Sequence, residues 1–353
     1  MKRILVTDDS VFMRSAIGRA LAEQADFEVV GKARDGREAV ELAKELRPDV
    51  VTMDIEMPEM DGLTALRRIM REAPTRVLMC STLTTEGSNQ SMQALRLGAA
   101  DVIPKDTSTD PQARERFLSD LINRVRALGE NKHPARRAAE QDEANPPAAA
   151  SKAPSLSAAD YDVICIASST GGPPVLETIL AALPAELKVP VVIGQHMPRI
   201  FTESMAKRLD EICSLKAVHA KDGMKLEPGG VYIAPGGSHT RVESKRWSQV
   251  RLRVGSEPSD AIYMPSADVL FGSAAEVFGR RTLAIILTGI GNDGVKGAKP
   301  LHDAEATILA QSAETCVVYG MPRAVTEAGY ATAILSPGQI AQALTQLTSR
   351  LAA

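Results

Sequence analysis

The chain has 353 residues, of which 44% are hydrophobic and 3% aromatic, and its formal net charge is −3. This length predicts two domains with aliphatic cores, and the slightly negative charge gives no reason to expect a nucleic-acid partner. The N-terminal segment holds too few apolar residues for a signal sequence, and no apolar run approaches the ~18 residues of a membrane span. We therefore expect a soluble, cytoplasmic protein without membrane insertion.

Residues 1–127 alternate short apolar runs with helical stretches, which predicts five parallel strands covered by helices in a flavodoxin-like (βα)5 domain. Polar residues follow these strands, where such sheets place ligands: Asp8 and Asp9 after the first, Asp54 after the third, Ser81 after the fourth and Lys105 after the fifth. Three carboxylates without matching arginines favour Mg²⁺. The alternative, that Asp8 and Asp9 only cap a helix, leaves Asp54 and Lys105 unexplained.

This first third of the chain resembles a response-regulator receiver domain. The resemblance rests on D-D-S near the start, M-D-I-E-M-P-E-M-D-G, the S-T after a strand and the late lysine. It implies that Asp54 is the phosphoacceptor and that Asp8 and Asp9 bind Mg²⁺ together with it. It also implies that Ser81 is the switch hydroxyl and that Lys105 pairs with the phosphoryl group.

Two positions depart from the receiver pattern. Many receivers have Lys-Pro where this chain has Lys105-Asp106, and an aromatic switch residue where Val102 stands. These departures leave the path of activation open, but they do not affect the expectation that the domain is phosphorylated.

Residues 128–160 differ in composition from both flanking regions. They are rich in alanine, proline, serine and charged residues and hold few large apolar ones. Such a segment cannot bury a core, so we predict a flexible linker. His133 lies in it, and we expect no catalytic role for this histidine.

In residues 161–353 the strand and helix patterns resume, which predicts a doubly wound, mostly parallel, Rossmann-like sheet. The turn-rich stretch L-E-P-G-G-V-Y-I-A-P-G-G-S-H predicts a β excursion from this sheet, with Val250–Val254 as its returning strand. The domain order is therefore 1–127, a linker over 128–160, and 161–353.

The second domain opens with V-I-C-I-A-S-S-T-G-G-P-P over Val163–Pro174. An apolar strand, small hydroxyl residues, glycines and prolines in this order predict a strand–turn–helix junction. Such a junction can hold a nucleophilic hydroxyl over the edge of a sheet, beside the N–H groups of a helix N-terminus. An ordinary turn or a phosphate-binding loop has the same pattern, so the stretch alone leaves these alternatives open.

Three residues that follow different strands can converge at one edge of the sheet: Ser169, His196 and Asp293. A hydroxyl, an imidazole and a carboxylate together can form a nucleophile, a general base and an orienting group. His239, in a glycine turn, is the strongest rival for the base, although the spacing favours His196.

The run G-I-G-N-D-G, over 289–294, follows a strand and precedes a helix, as a dinucleotide-binding fingerprint does. It lies late in the domain, however, and Asp293 places a negative charge where a pyrophosphate would approach. Cofactor binding is therefore the less favoured interpretation of this run.

The second domain resembles the catalytic domain of the chemotaxis receptor protein-glutamate methylesterase (CheB) family. The similarity rests on A-S-S-T-G-G, Q-H-M-P, Y-I-A-P-G-G-S-H, L-T-G-I-G-N-D-G and A-Q-S-A-E-T-C-V-V-Y-G-M-P. It implies that Ser169 is the nucleophile, His196 the base and Asp293 its partner. It also implies that backbone N–H groups of Thr170 and Ile290 bind the oxyanion. The family often has Met where Ile290 stands, but a backbone donor survives that change.

The two resemblances together imply a phosphorylation-activated carboxylesterase. It would hydrolyse glutamyl γ-methyl esters on the cytoplasmic helices of methyl-accepting chemoreceptors, release methanol, and also deamidate receptor glutamines. A chemotaxis histidine kinase would be the phosphodonor, the receiver would shield the catalytic sheet edge until Asp54 is phosphorylated, and the second domain would need no cofactor. The alternatives are a non-enzymatic response regulator that binds a partner and a dinucleotide-dependent oxidoreductase.

Overall fold

The structure is a computed structural model that describes residues 1–105, 110–130, 154–244 and 249–348. The chain divides into two compact units, Met1–Pro146 and Pro147–Ala353, called here the N-terminal and C-terminal units. The predicted domains 1–127 and 161–353 each fall within one unit. Most of the predicted linker, including His133, lies outside the described residues, and so does Asp106.

The N-terminal unit is a five-stranded sheet with the strand order β2-β1-β3-β4-β5, in which every neighbouring pair is parallel. This order is that of a flavodoxin-like fold, so the predicted architecture is confirmed. Its elements are β1 (Lys2–Thr7), α1 (Val11–Ala22), β2 (Phe27–Ala33), α2 (Gly36–Leu46), β3 (Val50–Asp54), α3 (Gly62–Glu72), β4 (Arg76–Thr82), α4 (Thr85–Arg96), β5 (Asp101–Lys105) and α5 (Pro111–Leu128).

Each helix of this unit begins after a residue whose side chain accepts a hydrogen bond from a backbone N–H of the first turn. These N-cap residues are Ser10, Asp35, Asp61, Thr84 and Asp110. A helix leaves its first N–H groups without backbone partners, and a short oxygen-bearing side chain satisfies one of them. Capping thus sets where each helix starts after its strand, and strand ends are where ligands bind in this fold.

The C-terminal unit is built around a seven-stranded sheet with the order β14-β13-β12-β6-β7-β9-β8, and all of its pairs are parallel. This confirms the predicted doubly wound fold. Its elements are β6 (Val163–Ser168), α6 (Gly172–Ala181), β7 (Val191–Gln195), α7 (Arg199–Ile212), β8 (Ala217–His219), β9 (Val231–Ile233), β10 (His239–Ser244), β11 (Val250–Gly255), α8 (Ala267–Phe278), β12 (Thr282–Ile286), α9 (Val295–Asp303), β13 (Thr307–Gln311), α10 (Met321–Glu327), β14 (Ala333–Leu335) and α11 (Pro337–Thr345).

The predicted β excursion is only partly correct. β10 and β11 do form an antiparallel hairpin, but β9 lies in the main sheet, between β7 and β8. All three β9 residues are buried, and a short apolar strand of this kind suits the interior of a parallel sheet. The glycines and prolines around it indicated turns, but they could not indicate which sheet the strand joins.

The sheet order places β6 at the point where the chain changes direction. After β6 the chain builds β7, β8 and β9 on one side, and later β12, β13 and β14 on the other. In open parallel sheets, ligands bind beyond the carboxyl ends of strands at such a switch point. Loops after β6, β7 and β12 therefore surround one site. None of the helices in the described ranges is both long and apolar enough to cross a membrane.

Candidate active site

Ser169 lies directly after β6, in the turn that leads into α6. Gly171 has a φ of 79° and makes this turn possible, since side chains disfavour that conformation. Gly289 lies so close to the turn that a Cβ there would be 2.7 Å from the Ser169 Cβ and 2.3 Å from the Met321 Sδ. The serine therefore needs glycine at two positions, one in its own turn and one in the loop after β12.

Hydrogen bonds from both neighbouring strands hold the backbone of Ser169. Its N–H donates to the Thr288 carbonyl at 3.0 Å. The Gln195 Nε2 donates to the Ser169 carbonyl at 2.9 Å, and the Gln195 Oε1 accepts from the Ser168 hydroxyl at 2.6 Å. Gln195 is 1% exposed. Sequence reasoning assigned it no role, although a buried amide at the end of an apolar strand needs such partners.

His196 follows β7 and stands beside the serine turn. Ser168 and Gln195 are partners in the β6–β7 ladder, so Ser169 and His196 are the next residues on each side. The His196 Nε2 lies 2.8 Å from the Asp293 Oδ2. The Nδ1 is buried and has no hydrogen-bond partner among the described residues. The carboxylate therefore holds one ring nitrogen, and the other is left to take a proton.

The Asp293 carboxylate accepts several hydrogen bonds from the start of α8. The Ser266 hydroxyl donates to Oδ1 at 2.8 Å, and the backbone N–H groups of Ala267 and Asp268 donate at 2.6 and 3.1 Å. Burial tends to raise the pKa of Asp293, but His196 and these donors outweigh it and lower the pKa below its usual value. Asp293 is thus an ionised carboxylate that fixes the imidazole.

Asp268 forms a reciprocal cap that sequence reasoning missed. Its Oδ1 accepts from the Gly294 and Gly297 N–H groups, both at 2.9 Å, at the start of α9. Asp293, which precedes α9, thus accepts hydrogen bonds from the first turn of α8. Asp268, in the first turn of α8, accepts hydrogen bonds from the start of α9. A pyrophosphate binds at the N-terminus of a helix that follows a glycine motif. Here Asp268 occupies that position, which argues against the dinucleotide interpretation of residues 289–294.

His239, the rival for the base, lies elsewhere in the hydrogen-bond network. Its Nε2 lies 3.1 Å from the Pro258 carbonyl, and its Nδ1 accepts from the Ser266 N–H at 3.2 Å. Burial lowers the pKa of His239, so the ring is neutral and donates from Nε2. Both nitrogens are occupied, which leaves neither of them to take a proton from a serine.

The two predicted oxyanion residues lie in different loops, Thr170 in the turn after β6 and Ile290 in the loop after β12. Thr170 is 1% exposed, and its carbonyl accepts from the Thr288 hydroxyl at 2.9 Å. Ile290 is half-buried in the loop after β12. Its N–H donates to no acceptor within the described part of the chain. The Ser169 N–H is already bonded to the Thr288 carbonyl, so it is not the donor that an oxyanion would use.

The N-terminal unit brings its predicted acidic residues together. Ligand oxygens of Asp8, Asp9 and Asp54 all lie within 4.8 Å of one another. The Lys105 Nζ lies 2.7 Å from the Asp8 Oδ2 and 2.5 Å from the Asp54 Oδ2. Burial raises the pKa of Asp54 to about 6, although the Lys105 charge opposes this. One lysine among three carboxylates leaves an excess of negative charge, and this donor set fits a divalent cation.

Ser81 and Val102, the other receiver positions considered above, are both buried. The Ser81 hydroxyl, 1% exposed, donates to the Gly87 carbonyl at 3.0 Å, across the loop that joins β4 to α4. Val102 is also buried, in β5. Ser81 is thus bonded to the first turn of α4.

Comparisons with known proteins identify the family of both units. The family model described as CheB methylesterase matches residues 164–344, and the response regulator receiver domain model matches residues 4–113. Relatives named protein-glutamate methylesterase/protein-glutamine glutaminase include one from Oleidesulfovibrio alaskensis, 44% identical over 98% of both chains. One from Vibrio parahaemolyticus is 41% identical over 96% of this chain and 97% of its own. The crystal structure of the Thermotoga maritima CheB methylesterase catalytic domain is similar, with a TM-score of 0.51 and 40% identity over 53% of this chain and 98% of that one. The chain therefore belongs to the CheB methylesterase family, with a receiver domain ahead of its methylesterase domain.

Proposed function

We propose that the chain hydrolyses glutamyl γ-methyl esters on the cytoplasmic helices of methyl-accepting chemoreceptors, with Ser169 as nucleophile. The observation that carries the proposal is the state of the His196 ring. Its Nε2 is held by Asp293 at 2.8 Å, while its buried Nδ1 has no partner among the described residues. The ring belongs to the residue that follows β7, next to the end of β6 that Ser169 follows. An oriented base next to a hydroxyl is the arrangement that activates a serine.

In the first half-reaction, the Ser169 Oγ attacks the ester carbonyl and its proton passes to the His196 Nδ1. The ionised Asp293 stabilises the resulting imidazolium. Backbone N–H groups of Thr170 and Ile290 bind the negative oxygen of the tetrahedral intermediate. When the intermediate collapses, the C–OCH₃ bond breaks and the imidazolium donates its proton, so that methanol leaves and an acyl-serine remains.

In the second half-reaction, His196 takes a proton from water and the hydroxide attacks the acyl-serine. The C–Oγ bond breaks, the proton returns to Ser169, and a free glutamate side chain is released. A glutamine side chain reaches the same acyl-serine with ammonia as the leaving group. The same residues therefore support deamidation of receptor glutamines as well.

The N-terminal unit supplies the control. We propose that a chemotaxis histidine kinase phosphorylates Asp54 and that the unphosphorylated receiver restrains the methylesterase unit. Asp8, Asp9 and Asp54 would hold Mg²⁺, which when bound offsets the negative charge of the carboxylates and of the phosphodonor. Lys105, which already contacts Asp54, would pair with the phosphoryl group.

The test is methanol release from methylated receptor fragments, with the full-length protein and its Ser169→Ala variant. Ser214→Ala, at an exposed serine of the same unit, is the matched control. The proposal predicts loss of release above background only for Ser169→Ala. If Ser169→Ala releases methanol at the wild-type rate, the serine mechanism is wrong. If neither protein releases methanol, a partner-binding response regulator becomes the better interpretation.

A further inference from the structure

Besides Ser169 and Asp293, a tyrosine ring lies against the face of the His196 imidazole. The Tyr263 ring lies parallel to the His196 imidazole, with ring centroids 4.4 Å apart and an interplanar angle of 6°. Stacked rings in this range attract each other beyond their burial. Asp293 holds only the edge of the imidazole, whereas Tyr263 covers a face and so limits rotation of the ring.

The same tyrosine reaches the loop that carries the Ile290 amide. A Cβ at Gly291 would lie 3.3 Å from the Tyr263 hydroxyl oxygen. The phenol therefore extends from the imidazole to the turn after β12. Its position touches both the base and the loop from which we propose that the oxyanion is bound.

The segment that carries Tyr263 is held by His239. This ring is 1% exposed, donates to the Pro258 carbonyl and accepts from the Ser266 N–H. These two contacts lie at the two ends of segment 258–266. The Gly237 N–H adds a bond to the Met264 carbonyl at 3.1 Å. Ser266, at the end of the segment, also donates its hydroxyl to Asp293.

We propose that Tyr263 and His239 are positioning residues for the esterase reaction: His239 fixes segment 258–266, and Tyr263 on that segment holds the face of the His196 ring. This inference rests on the proposed function. It gives the buried His239 a role other than that of a base. A base displaced by a fraction of an ångström is far less effective, and misplacements of about 1 Å cost on the order of 100-fold in rate.

The experiment measures kcat and KM separately for methyl-ester hydrolysis on methylated receptor fragments. Tyr263→Ala should lower kcat by roughly 10- to 100-fold while KM changes little. Tyr263→Phe, which keeps the ring, should retain the wild-type kcat. Ile262→Ala is the matched control, because Ile262 is the neighbouring residue and is 90% exposed. His239→Gln keeps a donor for the Pro258 carbonyl and should retain more kcat than His239→Ala.

Circular dichroism shows whether each variant folds. If Tyr263→Ala does not fold, the test uses Tyr263→Leu, which keeps apolar volume without a flat ring. A wild-type kcat for folded Tyr263→Ala or Tyr263→Leu overturns the inference. So does a loss confined to KM, or a Tyr263→Phe variant as slow as the alanine variant. Ser169→Ala in the same assay distinguishes a failure of the proposed function from a failure of the positioning role. If it stays active, the proposed function fails, whereas an inactive Ser169→Ala beside an unaffected Tyr263→Ala rejects only the positioning role.

Discussion

At the scale of single residues, the site depends on how one carboxylate is surrounded. Asp293 accepts from the Ser266 hydroxyl and from two N–H groups at the start of α8, besides facing His196. These donors keep the carboxylate ionised and hold its orientation. The imidazole thereby has one nitrogen engaged and one available, which is what a general base requires.

Asp293→Asn should therefore lower kcat for methyl-ester hydrolysis by about 10³- to 10⁴-fold, as loss of the orienting acid does in related triads. The amide keeps the shape but offers an N–H group and no negative charge. Steady-state methanol release measures this effect. Ser266→Ala, which removes one donor to Asp293, should cost much less. An Asp293→Asn variant within tenfold of wild type would contradict the assigned role.

Gly289→Ala should also abolish most activity, for a steric reason. The added methyl would lie 2.7 Å from the Ser169 Cβ and 2.3 Å from the Met321 Sδ, so the serine turn must move. Gly272→Ala is the control, since a Cβ there meets nothing within 4 Å. Methanol release from both variants, together with their thermal unfolding, tests this. Full activity of Gly289→Ala would show that the turn tolerates the shift.

In the N-terminal unit, the pKa of Asp54 predicts how Mg²⁺ binding depends on pH. Because burial raises this pKa to about 6, the group binds a proton below that pH and is a carboxylate above it. Mg²⁺ affinity should rise about tenfold per pH unit up to that point and then level off. Calorimetric titration from about pH 5 to about pH 8 measures this. Asp54→Asn should lose the dependence, and a flat wild-type curve would refute the prediction.

Residue patterns in the sequence predicted much of this candidate site, but not all of it. That Ser169, His196 and Asp293 lie at one edge of the sheet could be predicted, because each follows an apolar run that marks a buried strand and such strand ends meet at one edge. Tyr263 gave no comparable signal. It lies in an irregular segment between β11 and α8, and its contact with His196 depends on how loops distant in sequence fold over the sheet.

At the scale of elements, α8 and α9 stabilise each other through their N-termini. Asp293 precedes α9 and caps α8, while Asp268 in α8 accepts from the Gly294 and Gly297 N–H groups of α9. A carboxylate at a helix N-terminus is stabilised by the unpaired N–H groups and by the helix dipole. The helix pair thus fixes the loop that carries the orienting acid.

Asp268→Ala should lower the stability of the C-terminal unit by about 1–2 kcal/mol, the cost of losing an N-cap. For a domain of this size the midpoint of thermal unfolding falls by roughly 2–8 °C, and kcat falls as the Asp293 loop loosens. Scanning calorimetry measures the midpoint. Asp303→Ala, which removes an exposed pair with Lys299, should leave it unchanged. An unchanged midpoint for Asp268→Ala would mean that the cap is not stabilising.

The elements themselves were largely predictable, and their order in the sheet was less so. The alternation of strand and helix patterns in both domains predicted the two parallel sheets that the structure has. The place of β9 between β7 and β8 was not foreseen, because three buried residues between glycine-rich turns fit a hairpin as well as a sheet interior. Pairing partners depend on contacts distant in sequence, which local patterns do not encode.

At the scale of the whole molecule, we propose that a phosphorylation site in one unit controls an esterase site in the other. The receiver cluster of Asp8, Asp9, Asp54 and Lys105 belongs to the N-terminal unit, and the serine site belongs to the C-terminal unit. Control by phosphorylation means that the phosphorylated receiver restrains the esterase less. Each 1.4 kcal/mol or so of lost restraint raises the active fraction about tenfold while that fraction is small.

The most direct measurement is methanol release by the full-length protein with and without acetyl phosphate and Mg²⁺, beside Asp54→Ala and Ser169→Ala. We expect the phosphodonor to stimulate methanol release by the wild type, not to stimulate release by Asp54→Ala, and to have no effect on an inactive Ser169→Ala. The separate C-terminal unit, residues 147–353, should release methanol faster than the unphosphorylated full-length protein. Equal release with and without phosphodonor, together with a C-terminal unit no faster than the intact chain, would contradict the account.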